Sequence, residues 1–134
     1  MRRAAGAFVA AVLLVLPAGA AGAVFVRTAV VGGGLAVRPA AIEVTAHGDV
    51  SLHGLRWGSW GGAEAIGRGR AKVKACVPDC NLGKVKYPRV TVRLAGRMRC
   101  DGRVVYGRLG YRLLGEIPEG AKRRGTVDLR PRGC

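Results

Sequence analysis

Two histidines and eight acidic residues leave this chain little material for acid–base chemistry. A hydrolytic triad would have to draw its base from His47 or His53, with Asp49 and Ser51 nearby. Alternation along a strand sets His47, Asp49, Ser51 and His53 in a row on one face, whereas a triad needs groups that converge. A glycosidase site needs two carboxyl groups about 5 to 9.5 Å apart in a cleft, and the acids here are scattered at turns. The triplet Gly32-Gly33-Gly34 is followed by neither the lysine nor the helix pattern of a phosphate-binding loop. Aromatics make up only 5% of the chain, and no strand interleaves them with basic residues as single-strand nucleic-acid binders do. The first cysteine is Cys76, too far along to carry a lipid at an N-terminal processing point. No enzyme and no cofactor are therefore expected, and a hydrolase is the weakest of the functional readings. A sustained 3.6-residue apolar period is missing beyond the first two dozen residues, which excludes a helical domain.

What the chain does have begins at its start. Arg2 and Arg3 precede an uncharged apolar run from Ala4 onward, and Pro17 stands just before two small-x-small sites, Ala18-Gly19-Ala20 and Ala21-Gly22-Ala23. This arrangement predicts a signal peptide over residues 1–23, formed as a helix and cleaved after Ala23. The alternative is an uncleaved anchor, since the uncharged stretch is long enough to cross about 30 Å of hydrocarbon. Either way the arginines hold the N-terminus inside and the remainder is expected outside the cytoplasm, secreted or at the cell envelope.

The net charge of +15 is carried mostly by arginine. Such a field draws a protein toward anionic surfaces, here anionic cell-wall polymers or a membrane surface, with nucleic acid not expected as a partner of an exported chain. A solvated arginine-rich surface, of the kind a GC-rich genome produces, is the plainer explanation of the same count.

Period-two alternation recurs along the chain. Residues 24–38, with their glycine triplet, read as a flexible lead-in, Val30-Val31 forming at most a short edge strand, and residues 39–134 as a single domain. Ile42 to Thr45 and Val50 to His53 alternate around a Gly48-Asp49 turn and predict a hairpin. Ala65, Gly67, Gly69, Ala71, Val73 and Ala75 form one small-residue face of a long strand, with Ile66, Arg68, Arg70, Lys72 and Lys74 opposite. Such a face admits a close neighbour, and Trp57 or Trp60 is expected over Gly67 and Gly69. Val90 to Leu94 form a further strand that breaks at Gly96, and Cys100-Asp101-Gly102 supplies a hairpin turn. In the next strand Val105, Gly107, Leu109, Tyr111 and Leu113 face inward, while Arg103, Tyr106, Arg108 and Arg112 face water. Lys122 to Arg124 read as loop and Thr126 to Leu129 as a final strand. The fold class predicted is all-β, a small antiparallel sandwich or open barrel with Gly-rich turns.

Four cysteines, Cys76, Cys80, Cys100 and Cys134, allow three pairings in an oxidising compartment. Cys76 with Cys80 is favoured by the Cys-Val-Pro-Asp-Cys turn, and Cys100 with Cys134 because that bond would tie down the C-terminus. An unpaired Cys134 would instead permit a covalent dimer, although a monomer is expected. A zinc site from Cys76, Cys80, His47 and His53 has suitable ligand types, but the spacing follows no known pattern.

Trp57-Gly58-Ser59-Trp60-Gly61, the strand Ala65-Ile66-Gly67-Arg68-Gly69, the Cys76-Val77-Pro78-Asp79-Cys80 turn with Gly83, and Tyr87-Pro88-Arg89-Val90 occur in that order. In this the chain resembles a group of small secreted actinobacterial proteins, over roughly Ile42 to Leu94. The resemblance implies export and a shared β fold, with no activity attached. The chain departs from the group at Ala46-His47-Gly48-Asp49, where a cysteine often precedes the Gly-Asp turn.

Trp57, Trp60 and Tyr87 with Arg56, Arg68 and Arg70 are the candidate binding surface, because aromatic and arginine side chains dominate recognition. Packing of the tryptophans in the core and solvation of the arginines is the competing explanation. The functional reading is a non-enzymatic binding module at the envelope or outside the cell, the alternative a secreted effector such as an inhibitor or cationic antimicrobial.

Overall fold

The computed structural model describes residues 22–134. The expected leader helix and all but the last two residues of the 1–23 signal segment lie outside that range. Among the described residues there are nine strands and no helix: β1 (Val24–Arg27), β2 (Leu35–Ala36), β3 (Ile42–Glu43), β4 (Val50–Trp57), β5 (Ala65–Lys74), β6 (Val85–Lys86), β7 (Arg89–Cys100), β8 (Arg103–Leu114) and β9 (Arg124–Asp128). All belong to one sheet, in the order β2-β1-β8-β7-β5-β4-β3, with β6 on β5 and β9 on β8.

The sheet curls into an open half-barrel, so of the two architectures expected the sandwich is not formed. A β-bulge in β4 between His53 and Arg56, and a left-handed glycine at Gly96 within β7, supply the bends that let one sheet wrap its own core. The lips are tied at a single bridge between Ala29 and Glu43, where the Val30 amide donates to the Glu43 carbonyl and the Glu43 amide to that of Thr28.

The β5 face reads as expected. Ala65, Gly67, Ala71, Val73 and Ala75 are buried, while Arg68, Arg70 and Lys72 are exposed. At Gly67 a methyl group would lie 2.8 Å from the Trp57 ring, so glycine is what lets the indole rest on the strand. The expected second contact differs: Gly69 faces the backbone of the β4 bulge, where a methyl would meet the His53 carbonyl oxygen at 2.6 Å. The β7–β8 hairpin closes through Asp101 and Gly102, both with positive φ (48° and 75°), the twist-matched form of a two-residue turn.

Two expectations fail here. Residues 24–38 are not a lead-in segment, since β1 pairs in parallel with β8, Val24 opposite Val104 and Val26 opposite Tyr106, with Val24 and Val26 buried. The second edge of β8 is shared: β1 occupies it at Val104–Tyr106 and β9 at Arg108–Arg112. Among the described residues the sheet therefore begins at Val24. Tyr106, expected on the wet face, is fully buried. The inward set changes phase at Gly107, where the Leu129 amide takes the Gly107 carbonyl: Val104 and Tyr106 join the core on one side, Leu109, Tyr111 and Leu113 on the other. Opposite Gly107 stands Gly96, whose φ of 67° interrupts the ladder that strict alternation assumes. β7 nonetheless continues past Gly96 to Cys100.

The cysteines pair as Cys76–Cys80 and Cys100–Cys134, with none free. An oxidising compartment is where such bonds persist. No helix among the described residues is long and apolar enough to cross a membrane.

Candidate functional site

The six residues proposed as a binding surface separate into two groups. Trp57 and Trp60 are half-buried, and each indole N–H is used within the chain: Trp57 Nε1 donates to the Pro39 carbonyl and Trp60 Nε1 to that of Val24, both at 2.9 Å. The rings meet edge to face at 4.8 Å, and Trp60 meets Tyr106 likewise at 5.4 Å. The Tyr106 hydroxyl accepts from the Gly61 amide and donates to the Gly62 carbonyl. The tryptophan corner is thus a latch that holds the start of β1 and the Trp57–Gly62 turn over the core.

Arg56, Arg68 and Arg70 lie on the opposite, solvent face of the sheet, where register aligns them with arginines from distant parts of the chain. Arg56 stands opposite Arg68, Arg70 opposite Arg89, and Arg112 opposite Arg124. One continuous row runs across five strands: Arg56 (β4), Arg68 (β5), Thr91 (β7), Arg112 (β8) and Arg124 (β9). Directly opposed like charges on a sheet destabilise it, and here three such pairs occur on one face. Tyr87, 62% exposed, borders this face, and its carbonyl accepts from Arg70.

Acids do not neutralise the row. Among the described residues the ion pairs are Lys86–Glu116, Arg93–Glu64 and Arg130–Asp128, none of which involves Arg56, Arg68, Arg89, Arg112 or Arg124. Asp128 stands opposite Arg108 on the same face, but the Arg130 guanidinium and backbone amide engage its carboxylate and hold its pKa down to about 2. Because the folded value is depressed, whatever this pair adds to stability is present above pH ~4 and fades as the pH falls toward 2. A carbon-13 NMR titration of the Asp128 carboxyl should give a midpoint near 2, and Arg130→Ala should return it toward the ordinary 3.8.

Two shallow cavities open on the cationic face and share Ile66. One of about 620 Å³ is lined by Thr91, Arg93, Arg112, Arg124 and Thr126 around a floor at Gly110, and one of about 470 Å³ by Arg56, Gly58 and Arg68 beside Trp57. Gly110 makes the first depression: a methyl there would find no atom nearer than 4.0 Å. No known protein family, curated protein or solved structure matches the chain at a significant level. The site is therefore read from its own chemistry.

That chemistry is electrostatic. Ser51 is buried and its hydroxyl is hydrogen-bonded to His53 Nε2 at 2.7 Å, the two side chains lying two residues apart on one strand. Cys76 and Cys80, bonded to each other, have no thiolate to offer a metal. The four arginines of the row, in contrast, offer many donors and no acceptor. Arg112 and Arg124 could not be placed in it from the sequence. Alternation put Arg112 on the wet side, but its neighbours depend on the register of three strands, and Arg124 read as loop.

Proposed function

We propose that the protein is an exported, non-enzymatic binding module whose outer sheet face holds an anionic polymer of the cell envelope. The observation that carries this reading is the row Arg56–Arg68–Thr91–Arg112–Arg124, with arginines directly opposed at both ends and no acid paired to them. An anion seated between opposed guanidiniums converts their repulsion into attraction, so the face is complete only with a ligand. Export is supported by the leader, by the two disulfides and by the resemblance to small secreted proteins.

Retention on isolated cell walls tests this reading. The protein without its leader should bind at low salt and elute as ionic strength rises. The pair Arg68→Ala/Arg112→Ala should elute at clearly lower salt, whereas Arg99→Ala/Arg132→Ala, which removes the same charge elsewhere, should follow the wild type. Equal shifts for both pairs would reduce the interaction to net charge and overturn the assignment to this face.

A further inference from the structure

From the spacing of the row we infer the ligand's class: a linear polyol phosphodiester, laid across the strands with successive phosphates at fixed stations. The inference rests on the binding role proposed above and adds the chemistry of the polymer.

Adjacent strands lie about 4.8 Å apart, so the centre of the Arg56/Arg68 pair is about 7 Å from Thr91, and Thr91 is the same distance from the centre of the Arg112/Arg124 pair. A phosphodiester repeat with a three-carbon linker has six bonds from phosphorus to phosphorus. Since three backbone bonds cover about 3.8 Å, six cover about 7 Å when extended. Three consecutive phosphates then fall on an arginine pair, on the Thr91 hydroxyl and on the second arginine pair. The ends take charge-assisted bonds from two sides, and the middle takes a neutral donor.

Arginine rather than lysine at all four end positions favours phosphate, because the guanidinium fork bonds two oxygens of one group. A tetrahedral phosphate directs oxygens out of any single plane, so two guanidiniums approaching from opposite strands each find acceptors. A planar carboxylate confines its acceptors to one plane. The absence of an aromatic in the row separates this face from a nucleic-acid groove, where bases need rings to stack on. The Gly110 depression beside Arg112 leaves room for the linker and its substituents.

The experiment uses synthetic glycerol-phosphate oligomers of one to six repeats, poly-L-glutamate of matched charge, oligo(dT), and phosphatidylglycerol vesicles, with affinity read by calorimetry or polarisation. Affinity for the glycerol-phosphate series should climb steeply up to three phosphates and rise only slowly beyond. Arg68→Ala/Arg112→Ala should weaken six-repeat binding by about tenfold or more and make the log–log salt slope shallower by about 1.4, with Arg99→Ala/Arg132→Ala near wild type. Gly110→Val keeps every charge and projects into the depression, and should weaken binding severalfold with an unchanged melting temperature. Equal affinity for poly-L-glutamate, tighter binding of oligo(dT) or of vesicles, or no dependence on chain length would overturn the inference. If these probes fail while the Arg68/Arg112 variant still loses cell-wall retention, the face remains the binding site and only the polymer class is wrong.

Discussion

Cys134→Ser should destabilise the protein by about 4 kcal/mol and lower its melting temperature by roughly 20 °C, read by calorimetry without reductant. The bond closes a separation of 34 residues between the end of β7 and the last residue of the chain. Past Leu129, which is fully buried, the tail has no strand partner. It is held by the Arg27 guanidinium on the Arg130 carbonyl, and by its own turn from Pro131 to Cys134. Cutting the cross-link releases the tail and restores the entropy of a long loop to the unfolded chain. The comparison is Cys76→Ser/Cys80→Ser, which opens a separation of only 4 and should cost about 2 kcal/mol. A melting point for Cys134→Ser within a few degrees of wild type would show that the tail is anchored by its other contacts.

Tyr106→Ala should cost about 3–5 kcal/mol and Tyr106→Phe about 1–3 kcal/mol, measured by urea denaturation. The larger figure includes the cavity left beneath Trp60 and beside Val26, which stands opposite Tyr106 on β1. The smaller isolates the hydroxyl, whose removal leaves the Gly61 amide and the Gly62 carbonyl without this partner. Hydrogen exchange at Gly61 should quicken in both variants, because this amide is protected through Tyr106. If Tyr106→Phe were as stable as wild type, water would be replacing the hydroxyl and the corner would be held by its indoles alone.

These two residues show where local pattern suffices and where it stops. The Cys-Val-Pro-Asp-Cys turn and the Asp101-Gly102 hairpin were legible because both are short-range: a few residues and their allowed φ values decide them. The small-residue face of β5 was legible too, since period two holds along an unbroken strand. Alternation alone sets Tyr106 on the wet side, but Gly96 leaves the ladder opposite Gly107, and the inward set changes phase there. β1 carries no local signal for another reason. Four residues after a long apolar run show no contrast of their own, and their partner lies some eighty positions downstream.

The candidate site divides in the same way. Arg56, Arg68 and Arg70 were visible as the polar side of neighbouring segments, and Tyr87 as an exposed aromatic. That Trp57 and Trp60 spend their N–H groups on Pro39 and Val24 was not visible, because those acceptors come from segments remote in sequence.

By itself the sequence determined an all-β chain with four cysteines suited to bonding and a strongly positive surface. Those properties follow from composition and from dihedral preferences within a few residues. Only the tertiary structure decided that one sheet curls on itself with β1 in parallel against β8, and that arginines from β4, β5, β8 and β9 stand in one row. Register between distant strands is a collective outcome of burying the whole core, and no single segment encodes it.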